Sequence, residues 1–68
     1  MTWSRNVFSS MVNQIEWDDE GMIVTWRNGK RSMYVGVDEE TALSCAQAAS
    51  VGQFINSQIK PNYNHRYV

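Results

Sequence analysis

The chain has 68 residues, of which 43% are hydrophobic and 19% are charged, and its formal net charge at pH 7 is −1. This length predicts one domain, residues 1–68, and excludes a multidomain enzyme. The near-neutral charge also excludes a protein that binds duplex nucleic acid through a uniformly basic surface, so any nucleic-acid site has to be local.

The numbers of cysteine and histidine residues limit which disulfide and metal sites the chain can form. The single cysteine, Cys45, excludes an intramolecular disulfide, and with only one histidine, His65, the common zinc ligand sets are not available. No apolar run approaches the roughly 18–20 residues of a membrane helix, and residues 1–11 lack the apolar centre of a secretion signal. We therefore expect a cytoplasmic protein with no metal, no cofactor and no membrane contact.

The first half of the chain has the pattern of an antiparallel meander. Residues 11–17 place Met11, Ile15 and Trp17 at even spacing, which favours a strand, and the acidic segment 18–21 follows as a turn. Residues 22–26 are rich in β-branched and aromatic side chains, and Asn28-Gly29 is a strong hairpin signal. A third strand is predicted over residues 30–35.

The second half predicts two short helices. Asp38 is the expected N-cap of the first helix, and Ser50 with Gln53 has the spacing of a capping box that starts the second. The expected apolar stripes are Ala42, Leu43, Ala46 and Ala49 on the first helix, and Val51, Phe54, Ile55 and Ile59 on the second. Pro61 disfavours continuation at Lys60. The predicted fold class is α+β, a three-stranded antiparallel β-meander followed by two short helices packed on one face.

The hairpin at Asn28-Gly29 leaves two registers open. A two-residue type I′ turn places Met22, Val24, Trp26, Met33 and Val35 under the helices, with Ile23, Thr25, Arg27, Lys30, Ser32 and Tyr34 on the exposed face. A three-residue loop at Asn28-Gly29-Lys30 reverses this parity and buries Ser32 and Tyr34 beneath the helices. The solvent exposure of the Tyr34 ring distinguishes the two.

An ordered set of residues along the chain resembles a known family. The set comprises Ser9-Ser10, Ile15, Trp17-Asp18, Met22, Val24, Trp26, Gly29, Tyr34, Val37, Ala49-Ser50-Val51-Gly52, Phe54, Asn56, Ile59-Lys60 and Tyr63. It is similar to the KTSC domain, which is named for the C-terminus of some lysyl-tRNA synthetases and also occurs as free-standing bacterial and phage proteins. The resemblance extends from about Val7 to Tyr63.

Two departures from the family pattern accompany this resemblance. Ser32-Met33-Tyr34 replaces a Tyr-x-Tyr, so one aromatic side chain is missing, and Asp38 occupies the position of a usual proline. For function, the resemblance implies RNA binding, an activity suggested for the family without having been established.

The exposed sheet face of the first register is the predicted nucleic-acid site. It combines Arg27, Lys30 and Arg31 at the hairpin tip with the Tyr34 ring, and an aromatic platform beside cations suits RNA or single-stranded DNA. Acidic residues surround the other end of the meander, so the net charge of −1 conceals an acidic end and a basic end.

A protein-interaction module is the alternative, for instance a phage or mobile-element accessory factor that occupies a host protein through Ile23, Tyr34, Trp3 or an unpaired sheet edge. Either module is compatible with a monomer or a homodimer. Residues 61–68 interleave rings with cations and amides and are a further candidate surface, with Tyr63 expected to dock on the second helix. No phosphate loop, triad or placed carboxylate pair is recognisable, so we expect no enzyme, and Cys45 is expected to be an inert core residue.

Overall fold

The computed structural model describes residues 2–68 and has an α+β architecture. Its antiparallel strands are β1 (Trp3–Asn6), β2 (Val12–Asp18), β3 (Gly21–Trp26), β4 (Arg31–Val35) and β5 (Asn64–Tyr67). Its helices are α1 (Glu39–Ala46) and α2 (Val51–Phe54), and α2 continues directly into a π-helical segment, Ile55–Ile59. The fold class is confirmed, but the sheet has five strands in the order β1-β2-β3-β4-β5, and the predicted number of three is wrong.

The two additional strands come from the terminal segments. β1 pairs with β2, with Trp3 opposite Trp17, and β5 pairs with β4, with His65 opposite Tyr34. Both strands have four residues and are mostly exposed, so neither carries the alternating apolar pattern of a half-buried strand. Each strand is stabilised by the ladder that it forms with its neighbour, which a local reading of sequence does not reveal.

The connection between β3 and β4 is a three-residue loop over residues 27–29, one residue earlier than the predicted three-residue loop at 28–30. The amide of Trp26 donates to the carbonyl of Lys30 at 2.8 Å, and the amide of Gly29 donates to the carbonyl of Trp26 at 3.0 Å. Gly29 has φ +89°, whereas no non-glycine residue within 2–68 has a positive φ. A type I′ turn requires positive φ at Asn28 as well, so the two-residue turn is wrong and the parity of the three-residue alternative is correct.

This register decides which side chains face the helices. Tyr34 pairs with Met22 and Ser32 pairs with Val24, so these four residues share the face covered by the helices, which we call the inner face. Met33 and Val35 lie on the opposite, outer face, which corrects the first register. Tyr34 is only 2% exposed, so its ring is not the open platform that the type I′ register predicts.

One hydrophobic core lies between the inner face and the helices. Its buried members are Val12, Ile15, Met22, Val24, Tyr34, Val37, Ala42, Cys45, Val51, Ile55 and Ile59. Trp17 packs against this core and its indole Nε1 donates to the carbonyl of Val37 at 2.9 Å, which ties β2 to the segment that leads into α1. Tyr63 also packs against the core.

The helix starts differ in how closely they follow the prediction. Ser50 caps α2 as expected, since its Oγ accepts from the amide of Gln53 at 3.4 Å. Asp38 occupies the N-cap position of α1, but its carboxylate accepts from the hydroxyl of Thr41 and forms no side-chain bond to a backbone amide. The Thr41 hydrogen bond lowers the pKa of Asp38. In the predicted stripe, Ala49 is exposed and lies beyond the end of α1.

Across residues 2–68, no helix has both the length and the apolar composition needed to cross a membrane.

Candidate functional site

An open cleft of about 750 Å³ lies where the inner face of β3, β4 and β5 extends past the helices. Its lining residues are Ser10, Met11, Trp26, Arg27, Asn28, Lys30, Ser32, Tyr34, Lys60, His65 and Tyr67. Four parts of the chain thus meet around one concavity: the β3–β4 hairpin tip, strand β5, the loop before β2 and the residue after the π-helical segment.

Strand β5 supplies an aromatic wall. The rings of Tyr34 and His65 have centroids 5.2 Å apart, and the rings of His65 and Tyr67 lie 4.8 Å apart, edge to face. The three rings are close because antiparallel pairing places His65 opposite Tyr34, with Tyr67 two residues further along the same face. Tyr67 is 67% exposed, so most of its surface remains available for stacking.

The cleft floor is polar at two points. The indole Nε1 of Trp26 donates to Ser32 Oγ at 2.8 Å, which satisfies the buried hydroxyl oxygen of Ser32. The second polar point is Tyr34, which follows Ser32 by two residues on the same face of β4 and also lines the cleft. Burial, with a smaller effect from Tyr67, raises the pKa of Tyr34, so its hydroxyl remains protonated at neutral pH.

The rim carries three cations and no carboxylate. Lys30 Nζ lies 5.8 Å from the centroid of the Tyr67 ring, and Lys60 Nζ lies 5.6 Å from that of Trp26. Arg27 Nη2 donates to the carbonyl of Ser9 at 2.6 Å. All three contacts are to neutral groups and no Asp or Glu lines the cleft, so the rim retains its positive charge.

The structure separates Arg31 from the other predicted nucleic-acid residues. Arg27, Lys30 and Tyr34 all line the cleft. Arg31 lies on the outer face, where its Nη2 forms an ion pair with Glu16 Oε1 at 2.7 Å. The basic hairpin tip therefore divides between a cleft rim of unneutralised cations and a neutralised pair on the opposite face.

The predicted protein-interaction residues are divided in a similar way. Trp3 and Ile23 line a separate depression of about 410 Å³ near the β1–β2 end, together with Glu16 and Asp18. Both side chains are half-buried, and the Trp3 indole Nε1 donates to Glu39 at 3.1 Å. Tyr34 is not in this depression, so the three residues do not form one surface.

Sequence reasoning missed several lining residues. Lys60 and Trp26 were not among the predicted site residues, and His65 and Tyr67 appeared only within a general tail segment. Tyr67 and His65 had a partial signal, since rings alternate with other residues over 63–67. Lys60 belongs to the set of residues that resembles the family, but its place at the rim depends on where the π-helical segment ends, which no local pattern indicates.

The part of the chain that the structure describes contains neither a cluster of metal ligands nor an accessible, reactive thiol. No group of three or more His, Cys, Asp or Glu side chains within residues 2–68 converges on a position that suits a metal ion. Cys45 is fully buried, and this burial raises the pKa of its thiol from 9.0 to about 12. A protonated, inaccessible thiol is a poor nucleophile.

Comparison with known proteins identifies a family and a solved structure of similar fold. A model of the KTSC domain matches residues 8–63. The crystal structure of a KTSC domain protein from Yersinia pestis is similar, with a TM-score of 0.87 and 24% sequence identity, over 100% of this chain and 99% of that one. At this identity the similarity to the crystal structure establishes the fold alone. A search of curated proteins gave no significant match.

Proposed function

The chain belongs to the KTSC domain family, and from this premise and the cleft described above we propose that it is a non-enzymatic module that binds single-stranded nucleic acid. The ligand is RNA or single-stranded DNA, held between the hairpin tip, Lys60 and strand β5. The site lies on the inner face, in place of the outer-face platform that the type I′ register predicts.

The observation that carries the proposal is the composition of the cleft lining. Three of the six Lys and Arg residues of the chain lie in it beside four ring side chains, while none of the seven Asp and Glu residues does. An anionic ligand with a flat π-face matches both features, because phosphates are attracted by the cations and bases stack on the rings.

The shape of the site favours a single strand over a duplex. The rings are on the wall and floor of a concavity, so only an unpaired base that can leave its stack reaches them. A duplex presents its phosphates on a convex surface and would engage the rim cations alone. We therefore expect the cleft to bind an unstructured oligonucleotide more tightly than the same sequence in a duplex.

The test is fluorescence anisotropy with a labelled mixed-sequence RNA dodecamer at low salt. We expect Lys30→Gln to weaken binding, because it removes an unneutralised rim cation. Arg31→Gln is the matched control: it removes the same charge from the adjacent residue, but Arg31 is paired with Glu16 on the outer face. Equal losses in the two variants, or no binding by the wild type to RNA or to single-stranded DNA, would contradict the proposal.

A pull-down with and without nuclease distinguishes the protein-interaction alternative. Phe8 in the β1–β2 loop is fully exposed and Met11 is 54% exposed, and these are the apolar side chains a protein partner would contact first. A nuclease-resistant complex that Phe8→Ser abolishes would favour the alternative. Loss of the captured material on nuclease treatment would support the nucleic-acid module.

A further inference from the structure

We propose that the Tyr34 hydroxyl hydrogen-bonds the edge of one unpaired base, so that the cleft is a pocket for a single nucleobase as well as a groove for phosphates. This inference rests on the proposed function and makes it more specific. In this proposal the Tyr34 hydroxyl recognises the edge of a base by a hydrogen bond. The sequence predicts a different role, in which a base stacks on the Tyr34 ring.

The first support is the state of the Tyr34 side chain. The residue is 2% exposed, lines the cleft and forms no side-chain hydrogen bond with any residue in 2–68. Its hydroxyl is not sealed from solvent, since the only fully buried and unpartnered side-chain oxygen or nitrogen in that range belongs to Thr25. The small exposed remainder of Tyr34 therefore includes its hydroxyl, at the bottom of the cleft.

The second support is that the neighbouring polar groups do not use this hydroxyl. The Trp26 indole N–H is committed to Ser32 Oγ at 2.8 Å, and Asn28 Oδ1 accepts from the amide of Lys30 at 3.0 Å. A phenol both donates and accepts, so it pairs with a carbonyl, a ring nitrogen or an amino group of a base. A largely buried polar group without a protein partner gains most from a ligand that supplies one.

The third support is the arrangement of the other cleft residues around the Tyr34 hydroxyl. A base whose edge reaches Tyr34 lies against the wall formed by His65 and Tyr67, whose rings are 4.8 Å apart. Its sugar and phosphate then lie toward the rim, where Lys30 and Lys60 are. The cleft volume of about 750 Å³ falls within the range of pockets that hold one small organic ligand.

The experiment compares two labelled single-stranded dodecamers, one of mixed sequence and one with abasic sugars at every position. The wild type is expected to bind the mixed-sequence oligonucleotide more tightly. Tyr34→Phe is expected to weaken that binding about threefold to tenfold, the effect of one neutral hydrogen bond, and to leave the affinity for the abasic strand unchanged. Tyr63→Phe is the control, because it removes a tyrosine hydroxyl from a residue that packs against the core and does not line the cleft.

The outcomes separate this inference from the proposed function. Absence of binding to either strand by the wild type overturns the proposed function. Equal affinity for the two strands overturns the base pocket and leaves the phosphate groove in place. Equal weakening of both strands by Tyr34→Phe, or equal effects of Tyr34→Phe and Tyr63→Phe, also overturns the role assigned to the Tyr34 hydroxyl.

Discussion

Gly21, at the start of β3, is a position where the fold accepts no side chain. It has φ +153°, and a Cβ placed there would lie 2.1 Å from the carbonyl oxygen of Tyr34 on the neighbouring strand. Any larger residue must therefore push β4 away from β3 at the point where Tyr34 is positioned. A backbone oxygen cannot move aside as a flexible side chain does.

We expect Gly21→Ala to lower the free energy of unfolding by about 3 kcal/mol or more, since overpacking of about 1–3 kcal/mol adds to backbone strain of about 1–2 kcal/mol. Gly29→Ala is the matched control, because Gly29 also has a positive φ of +89° but has no atom within 4 Å of the added Cβ. Urea denaturation of the two variants measures the difference. Equal losses would mean that the contact with Tyr34 is relieved elsewhere.

Cys45 is a buried thiol whose ionisation opposes folding. Burial holds its pKa at about 12 in the folded chain, against 9.0 for an ordinary thiol. Below pH 9 both states bind the proton and stability is unaffected, whereas between about pH 9 and 12 the unfolded chain loses it first. Stability is therefore expected to fall as pH rises through this interval.

Urea unfolding of the wild type and of Cys45→Ala at pH 8 and pH 10.5 tests this linkage. The alanine variant should lose less stability between the two pH values, whatever its stability at pH 8. A smaller alkaline loss should remain, because the pKa of Tyr34 is also raised. An identical pH dependence in the two proteins would contradict a buried, protonated thiol.

At the scale of elements, local sequence patterns predict the features that neighbouring residues determine, namely strand bounds and a helix cap. The predicted strands 11–17, 22–26 and 30–35 correspond to β2, β3 and β4 within one residue at each end, and the Ser50 cap starts α2. The register between β3 and β4 could not be fixed in this way, because Asn28-Gly29 is compatible with loops of two and three residues. The three-residue loop sets the register in which the Tyr34 ring faces the helices and is buried.

The candidate site was predictable only in part, for the same reason. Arg27, Lys30 and Tyr34 are predicted together because they are near each other in sequence, and all three line the cleft, although Tyr34 is buried on the inner face. Lys60, His65 and Tyr67 reach the cleft through β5 and the π-helical segment, whose positions depend on long-range packing. Their contacts His65–Tyr34, Lys60–Trp26 and Tyr67–Lys30 span 31, 34 and 37 residues of the chain, beyond the range of any local pattern.

The π-helical segment is the element that carries Lys60 to the rim. Ile55 and Ile59 at its two ends are both fully buried in the core, and the amide of Lys60 donates to the carbonyl of Ile55 at 2.8 Å. This i→i+5 bond is the π-helical pattern, and both isoleucines belong to the core cluster. Lys60 keeps helical dihedrals despite Pro61, contrary to the expected effect of the proline.

We expect Ile59→Ala to cost about 2–5 kcal/mol, the range for a buried isoleucine, and to loosen the position of Lys60. Ser57→Ala in the same segment is the control, since Ser57 is exposed and its hydroxyl bonds only to the carbonyl of Gln53. Thermal unfolding followed by circular dichroism measures both. A small effect at Ile59 would indicate that the segment is not anchored in the core.

For the whole molecule, the near-neutral net charge is unevenly distributed. Arg31 and Arg66 are neutralised by Glu16 and Glu20, at 2.7 and 3.0 Å, whereas Arg27, Lys30 and Lys60 face the cleft beside neutral groups. A net charge of −1 therefore includes a local concentration of positive charge on one side. This local positive field, and not the net charge of the whole protein, governs how a polyanion approaches.

The salt dependence of binding measures the size of that local field. Each phosphate contact with a single strand contributes about −0.7 to the slope of log K against log salt, so three rim cations give a slope near −2. Lys60→Gln is expected to reduce the magnitude of the slope by about 0.7. Arg66→Gln, whose positive charge is already paired with Glu20, should leave the slope unchanged. If both variants reduced the slope equally, the polyanion would be following the overall charge of the protein and not the cleft.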